Sequence, residues 1–137
     1  MIRVISVNAV AAILVAVFFF ANPTSTIASH HEVTGIVTGT SPDFGNVWTD
    51  IKTTDFDALG VALDASVSVV IMHGDEVAFD QALPLVAQYS DVERGEPLII
   101  HDDDYMTIAI SFGNFTETHA IGAGDDWTVT VTPIPSD

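Results

Sequence analysis

From Glu32 onward, the apolar residues of this chain alternate with polar ones or run in short blocks, and Gly, Asp or Pro closes nearly every block. A period of two is the pattern of a strand with one buried face, and such frequent punctuation leaves no room for long helices. Eight strands are expected, near Glu32–Gly39, Asn46–Ile51, Ser66–Met72, Glu76–Gln81, Leu85–Tyr89, Pro97–His101, Tyr105–Ser111 and Trp127–Thr132. His73-Gly74-Asp75 and Asp102-Asp103-Asp104 read as tight turns between them. Thr54–Leu59 and Asn114–Ala120 read as short helices, the second with Asn114 as its N-cap. Many short strands with one or two small helices predict an all-β fold, a small barrel or sandwich in a single domain.

The first 28 residues do not fit that pattern. Arg3 is their only charge, an unbroken apolar run of thirteen residues spans Ala9 to Ala21, and Asn22-Pro23 ends it. This order is that of a secretory leader, and the run falls short of the roughly 20 residues a spanning helix needs. Thr26-Ile27-Ala28 offers a small residue before the cut, so residues 1–28 are expected to be a signal peptide and residues 29–137 the domain. The expected location is secreted or periplasmic, with an uncleaved membrane tether as the alternative.

Export sharpens what composition means. The chain has no Cys, so a packed core or a partner must hold the domain together without disulfides. Residues 29–137 keep two basic residues, Lys52 and Arg94, against all nineteen acidic ones, a net charge of −17. Such a surface repels phosphate backbones, which excludes nucleic acid as a partner. It suits a solvating coat for high salt, where screening removes self-repulsion.

No standard catalytic constellation is present. There is no Cys nucleophile, Gly-x-Ser-x-Gly elbow, phosphate-cradling Gly loop or His-Glu-x-x-His pair. Phe44-Gly45-Asn46 does recur as Phe112-Gly113-Asn114, a faint internal echo. Around the first copy runs Asp43-Phe44-Gly45-Asn46-Val47-Trp48-Thr49-Asp50-Ile51, followed by Phe56, Leu59-Gly60-Val61, Met72-His73 and Gly95-Glu96-Pro97-Leu98. Tyr105 to Ile110, Gly113-Asn114-Phe115, Gly122, Gly124-Asp125 and Trp127 complete the series.

This succession, over nearly all of residues 33–132, resembles the C-terminal domain of the S-adenosylmethionine hydroxide adenosyltransferases, relatives of the fluorinase and chlorinase. The resemblance implies a closed Greek-key-like barrel, usually the smaller half of a two-domain chain that assembles as a trimer. It places the family's catalytic residues in a larger N-terminal domain outside this sequence, so the chain is not expected to be a complete enzyme alone. The barrel's implied part is to contact adenine and the methionine end of S-adenosylmethionine. A flat neutral purine is matched by an aromatic face and an amide that both donates and accepts.

On that resemblance the purine contacts are Phe44, Asn46 and Trp48, with Ser111 and Phe112 in the final loop. The methionine end departs from the family: Ser41 stands where an acidic residue is usual, and Asp102 and Asp103 stand where a Ser-Arg pair grips the carboxylate. Carboxylates there repel the group that Arg attracts. Asp50 also replaces the usual Asn after Thr49. Adenosine or another purine therefore fits better than the whole S-adenosylmethionine molecule, and no further cofactor is expected. The plainer alternative makes Phe44, Trp48, Phe112 and Phe115 barrel core or subunit contact, and Asn46 and Asn114 turn and cap residues.

Two metal readings stand beside this. Cleavage after Ala28 would expose Ser29-His30-His31, whose amine, amides and imidazole form a square-planar nitrogen set for copper(II) or nickel(II). His101 beside Asp102, Asp103 and Asp104 could attract calcium, although a solvated acidic turn is the favoured reading of these residues. The expected function is a non-catalytic purine-binding or assembly module. The alternative is one half of a split adenosyltransferase with a separate catalytic partner. Self-association, a trimer by the resemblance, is the expected way to cover any surface a missing neighbour leaves bare.

Overall fold

Seven strands, one fewer than the alternation predicts, form a closed barrel in the computed structural model, which describes residues 31–135. They are β1 (Val33–Thr40), β2 (Val47–Lys52), β3 (Ser66–His73), β4 (Glu76–Val86), β5 (Pro97–Asp102), β6 (Tyr105–Ile110) and β7 (Gly124–Pro133). Helix α1 (Thr53–Asp57) follows β2, and α2 (Phe115–His119) follows β6. The leader expected over residues 1–28 lies outside the described residues, as do Ser29 and His30 of the metal set; His31 is exposed.

The lost strand is a merger, because Glu76–Gln81 and the first two residues of the expected Leu85–Tyr89 strand belong to one eleven-residue strand, β4, which ends at Val86, while Tyr89 opens a 3₁₀ turn. Pro84, between the two expected strands, pairs with Ser66 inside the ladder. The N–H of Leu85 turns toward β3, 2.9 Å from the Ala65 carbonyl, so the missing N–H of Pro84 faces β5. There β5 begins to pair only at Leu85, so no ladder bond is lost.

Around the barrel the order is β1-β2-β6-β5-β4-β3-β7, with β7 returning to β1. All neighbours are antiparallel except β4 and β5. A parallel pair needs a crossover, and residues 87–96 supply it, with a 3₁₀ turn at Tyr89–Asp91. Val92 of this crossover packs on Val86, Leu98, Ile100 and Ala109, a small apolar cluster apart from the main core. That second cluster explains why Leu98-Ile99-Ile100 is apolar without alternation.

Inside, the alternation is clean. Val47, Thr49 and Ile51 of β2 are buried while Trp48, Asp50 and Lys52 are exposed. Val67, Val69 and Ile71 of β3, with Val129 and Val131 of β7, continue the same lining. Each helix adds one enclosed phenylalanine, Phe56 from α1 and Phe115 from α2. Thr49 is buried but satisfied, its hydroxyl donating to the Met106 carbonyl at 2.7 Å. Where the register of β1 shifts after Ile36, the Ile36 N–H donates instead to the Asp50 carboxylate at 2.8 Å. Every carboxylate among the described residues is exposed, as a solvating coat requires.

Phe79, Phe115 and His119 form an aromatic cluster with ring centroids 4.6–4.8 Å apart. Burial here holds the His119 imidazole below its ordinary value of 6.5. The unfolded chain then takes up that proton first as pH falls, so this group's effect is a loss of stability from about pH 6.5 downward. His119→Gln should flatten that part of the pH dependence, read as melting temperature from pH 7.5 to pH 5 in both proteins.

Candidate ligand-binding groove

The two Phe-Gly-Asn triplets, far apart in sequence, come together on one side of the barrel. In the first, the Ser41 N–H donates to the Asn46 carbonyl at 2.9 Å and the Gly45 N–H to the Ser41 carbonyl at 2.8 Å. The Phe44 N–H donates to Ser41 Oγ at 3.2 Å, so Ser41 organises the turn. Gly45 has φ +66°, and a Cβ there would run into the Asn114 side chain. Both facts require glycine.

Asn114 belongs to the second triplet and caps α2, its Oδ1 accepting from the Glu117 N–H at 2.9 Å. The Thr116 N–H donates to the Gly45 carbonyl at 3.0 Å and ties the loops together. The echo is not a structural repeat, because the left-handed residue is Gly45 in one copy and Phe112 (φ +53°) in the other.

The crossover forms the third side. The Gly95 N–H donates to the Ser111 carbonyl at 2.8 Å, and the Ser111 N–H donates to the Glu96 carbonyl at 3.0 Å. From this anchored segment, Arg94 lays its guanidinium over the Phe112 ring, 4.3 Å from the centroid. Tyr89 brings its hydroxyl to within 3.4 Å of Asn46 Nδ2, which donates to it. Burial, then the charge of Asp102, pushes the Tyr89 phenol above its ordinary value, against the opposing Asn46 hydrogen bond.

Together Asp43, Phe44, Asn46, Tyr89, Ile110, Phe112, Gly113 and Asn114 line an open groove of about 730 Å³. That volume is in the range of small-molecule sites. Phe44 and Phe112 are 68% and 69% exposed, whereas Phe115 is fully enclosed core. Trp48 lies outside the barrel too, in a separate recess of about 390 Å³ with Thr38, Asp102, Asp103, Asp104 and Tyr105 among its lining residues.

The residues singled out from the sequence therefore separate. Phe44, Asn46 and Phe112 share the groove wall; Trp48, Asp102 and Asp103 share the recess; Ser41 lies in the turn beneath Phe44. Ser111 is enclosed, is not part of the groove wall, and its hydroxyl has no hydrogen-bond partner. Tyr89, Arg94 and Asp43 were not anticipated as site residues. An aromatic and an arginine in a segment tied to the final loop carry no periodic signal, and only the fold brings them to the triplets. His101 turns to Asp57 at 2.9 Å and Asp102 accepts from Thr107 at 3.1 Å, so this turn does not converge on a cation. No group of three or more potential metal ligands assembles among the described residues.

The family model of the SAM hydroxide adenosyltransferase C-terminal domain matches residues 43–128, from the groove loop into β7. The chain belongs to this family. As an adenosyltransferase C-terminal domain, it is 30% identical to a fluorinase of Actinoplanes sp. (strain N902-109) over 115 residues, 82% of this chain and 37% of that one. It is 29% identical to a fluorinase of Actinopolyspora mzabensis over 92 residues, 66% of this chain and 29% of that one. The chain thus spans about a third of the length of these relatives. In fold it is similar to an uncharacterized conserved protein from Thermotoga maritima known from its crystal structure, with TM-score 0.65 and 22% identity. That match covers 85% of this chain and 42% of the other.

Proposed function

We propose that this adenosyltransferase C-terminal domain is an exported, non-catalytic binding module that takes a purine nucleoside in the groove. The carrying observation is the groove wall: exposed rings of Phe44, Phe112 and Tyr89 beside the amide of Asn46. Aromatic faces stack on a base, and an amide pairs with its edge. Family membership supports the reading of the groove as a nucleoside site. Export rests on the Arg3 and Ala9–Ala21 leader pattern alone.

A second reading is favoured by the groove's open side. With Phe44 and Phe112 about two-thirds exposed, a bound base would still face water, and another polypeptide surface could close over it. That surface would come from a separate catalytic chain, making this domain one half of a split adenosyltransferase, or from further copies of this domain in a trimer.

Calorimetric titration of the full chain with adenosine tests the first reading. Saturable 1:1 binding supports it, and no heat from folded protein sinks it. The second reading expects hydrolysis of S-adenosylmethionine only after a catalytic chain is added.

A further inference from the structure

Strand β4 closes the barrel with only part of its length. It pairs with β3 from Glu76 to Pro84, but with β5 only at Leu85 and Val86. Side chains mark the gap: Phe79 and Leu83 are buried, whereas Gln81, on the same inward side between them, is exposed, as are Asp80 and Ala82. Because the Leu85 N–H turns to β3, alternation turns the N–H and C=O of Asp80 and Ala82 the other way, to the open edge. No loop backbone among the described residues bonds either one. An open edge accepts another strand. Pro84 at one end and the register shift between Val77 and Phe79 at the other limit this edge to Asp80 and Ala82.

Charge and register select the strand that fits. Next to β4, β3 carries no ionisable side chain from Ser66 to Met72, and beyond it β7 carries none from Thr128 to Pro133, in a chain of net charge −16. A second copy therefore meets least repulsion on this side. Several antiparallel registers direct the free groups of two β4 edges at each other. Asp80 opposite its own counterpart sets carboxylate against carboxylate. Ala82 opposite its counterpart sets Asp80 against Pro84, which has no N–H to give. Asp80 opposite Ala82 satisfies every free group of both edges, and it brings the Gln81 amides, which both donate and accept, face to face.

We propose that two copies of this chain associate through their β4 edges, antiparallel, with Asp80 of each opposite Ala82 of the other. The pairing is two-fold, so it uses up both edges and stops at a dimer. Salt favours it by screening the two acidic bodies and the diagonal pair of Asp80 side chains. It does not depend on what the groove binds.

Sedimentation velocity on the full chain, in about 0.1 M and about 2 M sodium chloride, should show a monomer–dimer equilibrium that tightens with salt. Ala82 is exposed, so Ala82→Lys and Ala82→Asp should both fold, which melting temperature checks. In the lower salt Ala82→Lys should tighten the dimer by setting an ammonium opposite Asp80, and Ala82→Asp should loosen it, with dissociation constants about tenfold or more apart. In an Asp80→Asn background that gap should shrink to about twofold or less. A gap that persists undiminished there would reduce the effect to bulk charge and overturn the proposal. A monomer at every salt, a trimer, or a dimer indifferent to the substitutions at position 82 would overturn it too.

Discussion

Phe115→Ala is expected to lower the unfolding free energy by about 3–5 kcal/mol, read by urea denaturation, because it empties an enclosed site and strips Phe79 and His119 of their partner. Phe112→Ala, three positions earlier, should cost about 1 kcal/mol or less: it removes an exposed ring and one cation–π contact. The contrast divides two residues of the same type, three positions apart, into core and groove. Equal costs for the two variants would contradict the division.

The second large effect concerns affinity. Phe44→Ala and Phe112→Ala should each weaken adenosine binding about tenfold, and the double variant roughly a hundredfold, if each ring stacks on the base. The melting temperature should move little, since both rings are exposed. Undiminished affinity in the double variant would place any nucleoside elsewhere on the barrel.

What the sequence made legible follows from locality. Strands with one buried face, such as β2 and β3, announce themselves by alternation, and the turn at Asp103 and the cap at Asn114 by their residue types. The merger of two expected strands into β4 was not legible, because Pro84 breaks a strand only where its missing N–H is needed, and that depends on where β5 starts to pair. The parallel β4–β5 pair is equally non-local. Leu98-Ile99-Ile100 declares two buried faces without saying that the crossover supplies Val92 to one of them.

The candidate site divides in the same way. The Phe-Gly-Asn triplets stood out as landmarks, but their meeting through Gly45, Asn114 and Thr116 is tertiary. Tyr89 and Arg94 reach the groove because Gly95 and Glu96 are hydrogen-bonded to Ser111, a pairing no local pattern encodes. Ser111 shows the limit of matching by order alone: at the end of β6 its backbone binds the crossover and its side chain is enclosed.

The most direct test of the groove as a nucleoside site is an amide chemical-shift map of the ¹⁵N-labelled full chain during titration with adenosine. The account predicts saturable shifts at Phe44, Asn46, Tyr89, Gly113 and Asn114, with Glu76–Gln81 of β4 unmoved. Shifts confined to other residues, or none at millimolar adenosine, would contradict it.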